Sequence, residues 1–336
     1  MKRSYKIMGI LISLGAISLY GCSKKEVEEK KTINKIDILD NLVIDIKDGS
    51  EIYGYLNDGR FEKTDISAKG NLRAYNDKLD IMAFLEQKEE ENYLNIIFAD
   101  DSMNIKIDGN LDFVYISENG EYTLYKTSDR NNIIKLNLVD NKTKKTVVLP
   151  EDILVSGELI KFIGNDTIIL YGVDINNNKY GVFTYDIKSG KYTLVKEMVG
   201  MYMSSIEAIS ESKVFMIEVS ESSSQVYILD ILTKDMQLIS SEFSYVEDAI
   251  LYEDKVYINA LENGDLNLYS IDLESTKLKR LTFDFPKSLG RESRLLAENG
   301  RVYFSDINGK VYYYDIKEDT TNLIKNQDGM YMIVDK

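Results

Sequence analysis

The sequence predicts an all-β protein, a seven-bladed β-propeller of four-stranded antiparallel blades whose ring is closed by joining N- and C-terminal strands. Three observations predict it. From residue 35 to the end, apolar and polar residues alternate in short runs rich in Ile, Val, Tyr and Leu, with hardly any helical period. A unit of about 43 residues recurs, a spacing typical of propeller blades. The two ends supply incomplete pieces that complement each other.

The first 34 residues stand outside this pattern. "MKRSYKIMGILISLGAISLYG" opens with Lys2, Arg3 and Lys6, runs apolar from Ile7 to Leu19 and finishes small at Gly21, the layout of a secretory signal. The apolar run is short for a spanning helix, which needs about 20 residues. The chain's one cysteine, Cys22, follows at once. Leu19-Tyr20-Gly21-Cys22 resembles the lipobox of bacterial lipoproteins, which implies that the Cys22 thiol receives a diacylglyceryl group and becomes the first residue after cleavage. The alternative is a short membrane anchor whose cysteine is incidental. The expected organisation is a signal peptide at 1–21, the lipidated Cys22 with a polar tether through residue 34, and the propeller at 35–336. Each buried methylene contributes about 0.8 kcal/mol, so paired acyl chains hold where one would not. The expected location is extracytoplasmic, with the membrane touched through the lipid anchor only.

After the tether, residues 35–67 offer the strands "KIDILDNLVIDI", "SEIYGYL" and "RFEKTDI", which lack a first member. Complete units follow at 70–110, 111–152, 153–199, 200–243, 244–290 and 291–328, and the tail "GMYMIVDK" is a lone strand. Joining the remnants gives a seventh blade. Six blades is the alternative, with residues 35–47 paired in another register. Aligning "YGVFTYDIKSGKYTLV", "SQVYILDILTKDMQLI", "DLNLYSIDLESTKLKRLT" and "GKVYYYDIKEDTTNLI" puts Asp186, Asp230, Asp272 and Asp315 in one column. A fifth copy, "NIIKLNLVDNKTKKTVVL", sets Asn137 there. A carboxylate or amide ending a strand accepts backbone N–H bonds from the turn, so the column reads as a hairpin fastener. A four-stranded unit cannot cover both of its faces alone, and neighbours must pack around an axis.

The segment "VYINALENGDLNLYSIDLESTKLKRLT" resembles the repeats of TolB-type and YVTN-type bacterial β-propellers. "SENGEY" at 117–122 is similar to their Ser-x-Asp-Gly-Lys-Tyr turn, and the resemblance covers residues 110–330.

Function is bounded mainly by exclusion. The chain has 41 basic and 56 acidic residues and a net charge of -15, so nucleic acid is repelled. Cleavage at Cys22 removes three positive and no negative charges, leaving -18, a body that stands off anionic lipid. No histidine is present, which removes the commonest general base and metal nitrogen ligand. No nucleophile elbow or phosphate loop appears, and neither a metal nor a cofactor is expected. Asp174, Asn176 and Asn178 alternate as in the start of a calcium loop, but the sixth-position Gly and twelfth-position Glu are missing and a hairpin turn accounts for them.

The loops between second and third strands, such as "EQKEEEN", "VDINNNK", "ALENGD" and "DINGK", are acidic and share one face, which suits a basic partner surface. The connection "LTFDFPKSLGRES", residues 281–293, sets Phe283 and Phe285 beside Pro286, with Lys287 and Arg291. Aromatics with an arginine are interface-anchor composition; the alternative is that both rings fold under the loop. The leading expectation is a membrane-tethered, non-catalytic module that binds another envelope or membrane protein, with Phe283, Phe285 and Arg291 at the contact. A receptor for a glycan, peptide or small ligand at the channel mouth is the alternative, and an enzyme working through carboxylates or tyrosine comes third.

Overall fold

The computed structural model describes residues 42–333, apart from 48–49, 58–59, 65–69, 77–78, 130–132, 221–222, 284, 292–293 and 328. The signal peptide, Cys22, the tether and the start of the first expected strand lie outside the described residues. Twenty-eight strands form seven four-stranded antiparallel sheets, and among the described residues there is no helix.

Blades 2 to 7 are contiguous in sequence. Their first strands are Asn71–Asn76, Asn110–Ile116, Ile153–Ile163, Met203–Ala208, Tyr245–Tyr252 and Leu296–Glu298. These strands face the axis, where neighbouring ones approach one another. The last strands, from Ser102–Ile107 in blade 2 to Thr320–Leu323 in blade 7, form the outer rim.

Second and third strands read as nearly continuous apolar runs because a neighbouring blade covers each of their faces. In blade 6, Val256 to Ala260 and Leu266 to Ile271 are buried without a break. The core is therefore a set of layers between blades. Phe113, Leu124 and Leu138 of blade 3 meet Ile160, Ile168 and Phe183 of blade 4. Blade 4 in turn offers Ile169 and Val182 to Val214, Met216 and Leu229 of blade 5. Outer strands have water on one side, and Lys145–Val148 is exposed throughout.

The turn from third to outer strand is fastened by its aspartate. Asp186 Oδ1 accepts the Ser189 N–H at 2.6 Å, Asp272 Oδ1 that of Ser275 at 2.7 Å, and Asp315 Oδ1 that of Glu318 at 3.0 Å. Asp230 Oδ1 accepts both Leu232 and Thr233 N–H groups, at 2.9 and 3.0 Å. In blade 3 the position belongs to Asp140, which accepts the Thr143 N–H at 2.8 Å, and not to Asn137. The strand Ile134–Asp140 runs three residues past Asn137, which is buried in mid-strand opposite Val148.

Blade 1 combines Leu42–Lys47, Ser50–Asn57 and Arg60–Lys63 with the C-terminal strand Tyr331–Ile333, which takes the inner position. Val43 pairs with Ile333 and Asp45 with Tyr331. Tyr331 is 1% exposed and stacks on Phe61 with 5.6 Å between ring centroids. On its way in, the strand crosses the Gly309 turn, whose carbonyl accepts the Tyr331 N–H at 2.8 Å. Gly309 has φ of 69°, and a Cβ there would lie 2.8 Å from Met330 Cβ and 2.9 Å from Tyr331 N. Glycine is required on both counts.

Candidate functional site

Antiparallel order assigns the loops to faces. First strands start at one end of the ring, so second-to-third turns and blade-to-blade connections gather at that end, and the remaining turns at the other.

The described residues of the connection 281–293 lie on the first of these faces, and Ser288 to Gly290 are tied down. Leu289 N–H donates to the Leu266 carbonyl at 2.9 Å, Ser288 Oγ accepts the Leu266 N–H at 3.0 Å, and Gly290 N–H donates to the Ser305 carbonyl at 2.7 Å. Leu281, Pro286 and Leu289 are buried beneath it. Phe283 and Phe285 are 63% and 53% exposed. The Phe283 ring lies 5.2 Å from the Arg280 guanidinium, which is 3.0 Å from Glu262 Oε2 and donates to Asn267 Oδ1 at 2.9 Å. Phe285 meets the Tyr312 ring edge-on at 5.2 Å, and Tyr312 stacks on Phe304. Arg291 is exposed and borders a cavity of about 610 Å³ that Ile307 and Met330 also line. Those two side chains are 64% and 63% exposed. The turn Asp306–Gly309 is shaped by Asp306 Oδ1, which accepts the N–H groups of Asn308 and Lys310, both at 2.8 Å.

The axis holds charges that stitch neighbouring blades together. Lys161 Nζ is 3.0 Å from Glu207 and 4.5 Å from the Tyr115 ring centroid. Arg294 is 3.5 Å from Asp248, which also accepts the Leu295 N–H at 2.7 Å. Arg73 donates to the carbonyls of Leu111 and Asp112, at 3.2 and 3.0 Å. The buried Lys126 donates to the Gly157 carbonyl at 2.9 Å. Lys161, Glu207, Asp248 and Arg294 border a channel cavity of about 610 Å³, and Lys161 and Glu207 also border a mouth of about 900 Å³ on the opposite face. Their sequence signal is a charge inside an otherwise apolar or small first strand, as in "LIKF", "SIEAI" and "EDAI". That signal is weak, because any strand end carries charges.

Among the described residues no group of three or more His, Cys, Asp or Glu side chains is placed to hold a metal ion. The Asp174 carboxylate is engaged by its own hairpin turn, accepting N–H bonds from Asn176 and Asn177 at 2.9 and 3.0 Å and the Asn177 amide at 2.8 Å. Displaced acidities run one way for each residue type. Burial pushes Tyr257 up to about 12, with Glu253 and Asp254 adding to it. Burial likewise raises Tyr312 in the site, and Asp306 adds to the shift. The Asp174 and Asp186 carboxyl groups are held below the usual range by hydrogen bonds from the turns they close, chiefly from the side chains of Asn177 and Ser189.

No family model matches the chain, and no curated protein matches it. Solved structures do. An uncharacterized protein, lmo1340 from Listeria monocytogenes, is 13% identical with a TM-score of 0.59, covering 86% of this chain and 93% of that one. The tricorn protease is 12% identical with a TM-score of 0.56 and covers 88% of this chain, which spans only 34% of the protease. TolB from Acinetobacter baumannii is 10% identical with a TM-score of 0.45, covering 72% of this chain and 61% of TolB, too distant to carry an argument. At such identities the likeness shows the fold alone. The chain is a seven-bladed β-propeller.

Proposed function

We propose that this propeller is a lipid-anchored, extracytoplasmic protein that binds another envelope protein, without catalysis, through the face carrying residues 281–293. The observation behind this reading is the apolar side chains left outward on this face: Phe283 and Phe285 on the connection that also carries Arg291, and Ile307 and Met330 around the cavity that Arg291 borders, are each more than half exposed. Folded monomers seldom gather large apolar side chains at the surface without a use for them, and aromatics with an arginine are common anchors. The lipid anchor rests on the Lys2-to-Cys22 pattern in the sequence. A small-ligand receptor is the second reading, favoured by the mouth of about 900 Å³.

The test is crosslinked capture of partners by the full-length chain from its own membranes. Phe285→Ala combined with Arg291→Ala should abolish capture while the melting temperature stays within a few degrees. Retained capture removes these residues from the contact, and joint loss of folding and capture assigns them to the fold.

A further inference from the structure

We propose that the groove between blades 4 and 5 is a separate docking site, which takes an extended protein segment carrying an apolar side chain next to a lysine or arginine. This rests on reading the chain as a protein-binding module but uses a different surface from residues 281–293.

The first strand of blade 4, Ile153–Ile163, has 11 residues, against three to eight in the first strands of the other blades. Its pairing jumps from Val155 opposite Gly172 to Ile160 opposite Leu170, so residues 156–159 stand across from Tyr171 alone. Bulges of this kind re-aim a strand's side chains. Here Ser156, Gly157 and Glu158 are exposed and border the channel cavity. The bulge is held in place, because Lys126 donates to the Gly157 carbonyl at 2.9 Å.

On the rim side of the bulge lies a second cavity of about 570 Å³, bordered by Leu154, Tyr180, Met198, Val199 and Tyr202. Ser156 lines this cavity and the channel cavity alike, so the two lie on either side of it. The link between the blades is fixed at both ends. Met198 N–H donates to the Tyr180 carbonyl at 2.8 Å, Val219 N–H to the Tyr202 carbonyl at 2.8 Å, and the Tyr171 hydroxyl donates to the Met201 carbonyl. That backbone buries Met198 yet leaves Val199 75% and Tyr202 76% exposed. An apolar pocket presented by a held backbone costs little ordering entropy on binding.

Charge selects the occupant. The channel lining carries Glu158, Glu207, Glu247 and Asp248 against Lys161 and Arg294, an excess of two carboxylates whatever their pairings. The whole chain carries -15. A cationic side chain is drawn toward the axis while its apolar neighbour fills the rim pocket.

The experiment titrates the full-length chain in detergent into a dye-labelled, capped hexapeptide of alternating lysine and leucine, read by fluorescence anisotropy. Glutamate–leucine and lysine–serine hexapeptides are the comparators. The lysine–leucine peptide should bind at least about tenfold tighter than either. Val199→Asp and Glu158→Lys should each weaken it about tenfold, Phe285→Ala should leave it unchanged, and added salt should lower it. Both altered side chains are exposed, so an unchanged melting temperature certifies each variant. No binding at millimolar peptide, equal binding of the glutamate–leucine peptide, or unaltered binding by both variants overturns the proposal. So does self-association that Val199→Asp dissolves, which would give the groove to a second copy of the chain. Peptide binding without the Phe285 and Arg291 capture effect would leave this site standing and remove the other.

Discussion

At the scale of single residues, the aspartate column decides how each blade turns outward. One carboxylate oxygen takes the turn's N–H group, so the hairpin closes without relying on glycine alone. Asp272 is held below the usual carboxylate range chiefly by the Ser275 backbone N–H, then by the Ser275 hydroxyl. A depressed folded acidity means stability that is present above the unfolded value of about 3.9 and lost as pH falls through the folded value. Asp272→Ala should therefore lower the melting temperature by a few degrees at pH 7, and Asp272→Asn by less, since the amide oxygen still accepts. The deficit of both variants relative to the parent should shrink at pH 3. Thermal melts at the two pH values check this, and an alanine variant that melts like the parent would make the carboxylate incidental. Four of these aspartates were legible from alignment, but Asp140 was not. "LNLVDN" offers polar residues at several offsets, and only the pairing of Asp140 with Lys145 shows where the strand stops.

At the scale of elements, one short strand closes the ring. Tyr331 and Ile333 are 1% and 3% exposed, and they bury against Val43 and Phe61. Each such side chain contributes about 1.5–3 kcal/mol on burial, against a net stability of about 5–15 kcal/mol for a typical domain. Deleting residues 330–336 should lower the melting temperature far more than any outer-strand change, and should promote aggregation by opening the edge of Leu42–Lys47. Scanning calorimetry with light scattering reads both effects, and an unchanged melt would show the closing strand to be dispensable. Pairing the two ends could be reasoned from sequence because each remnant is incomplete. The bulge at 156–159 could not, since "VSGEL" continues the alternation and only the register against Tyr171 reveals the extra residues.

At the scale of the whole molecule, the proposed anchor and the acidic body fit one another. In that proposal lipid would supply attachment, while the net charge of -18 left after cleavage at Cys22 would keep the propeller off anionic headgroups. If Cys22 is acylated, Cys22→Ser should abolish fatty-acid labelling and leave unprocessed precursor. Metabolic labelling with gel mobility checks this, and normal labelling of the variant would remove the lipoprotein reading.

The sequence by itself determined the fold class, the blade boundaries, the sharing of one blade between the two ends and four of the turn aspartates. Each of these depends on local period, composition or repetition, which a chain carries along its length. Tertiary structure alone decided which side chains meet around the axis and which stay outward. Lys161 and Glu207 are neighbours only because two blades pack side by side, and Val199 is exposed while Met198 beside it is buried because the link between blades is pinned at both ends. Such adjacencies depend on how blades meet, and residues distant in sequence carry no local pattern that announces them.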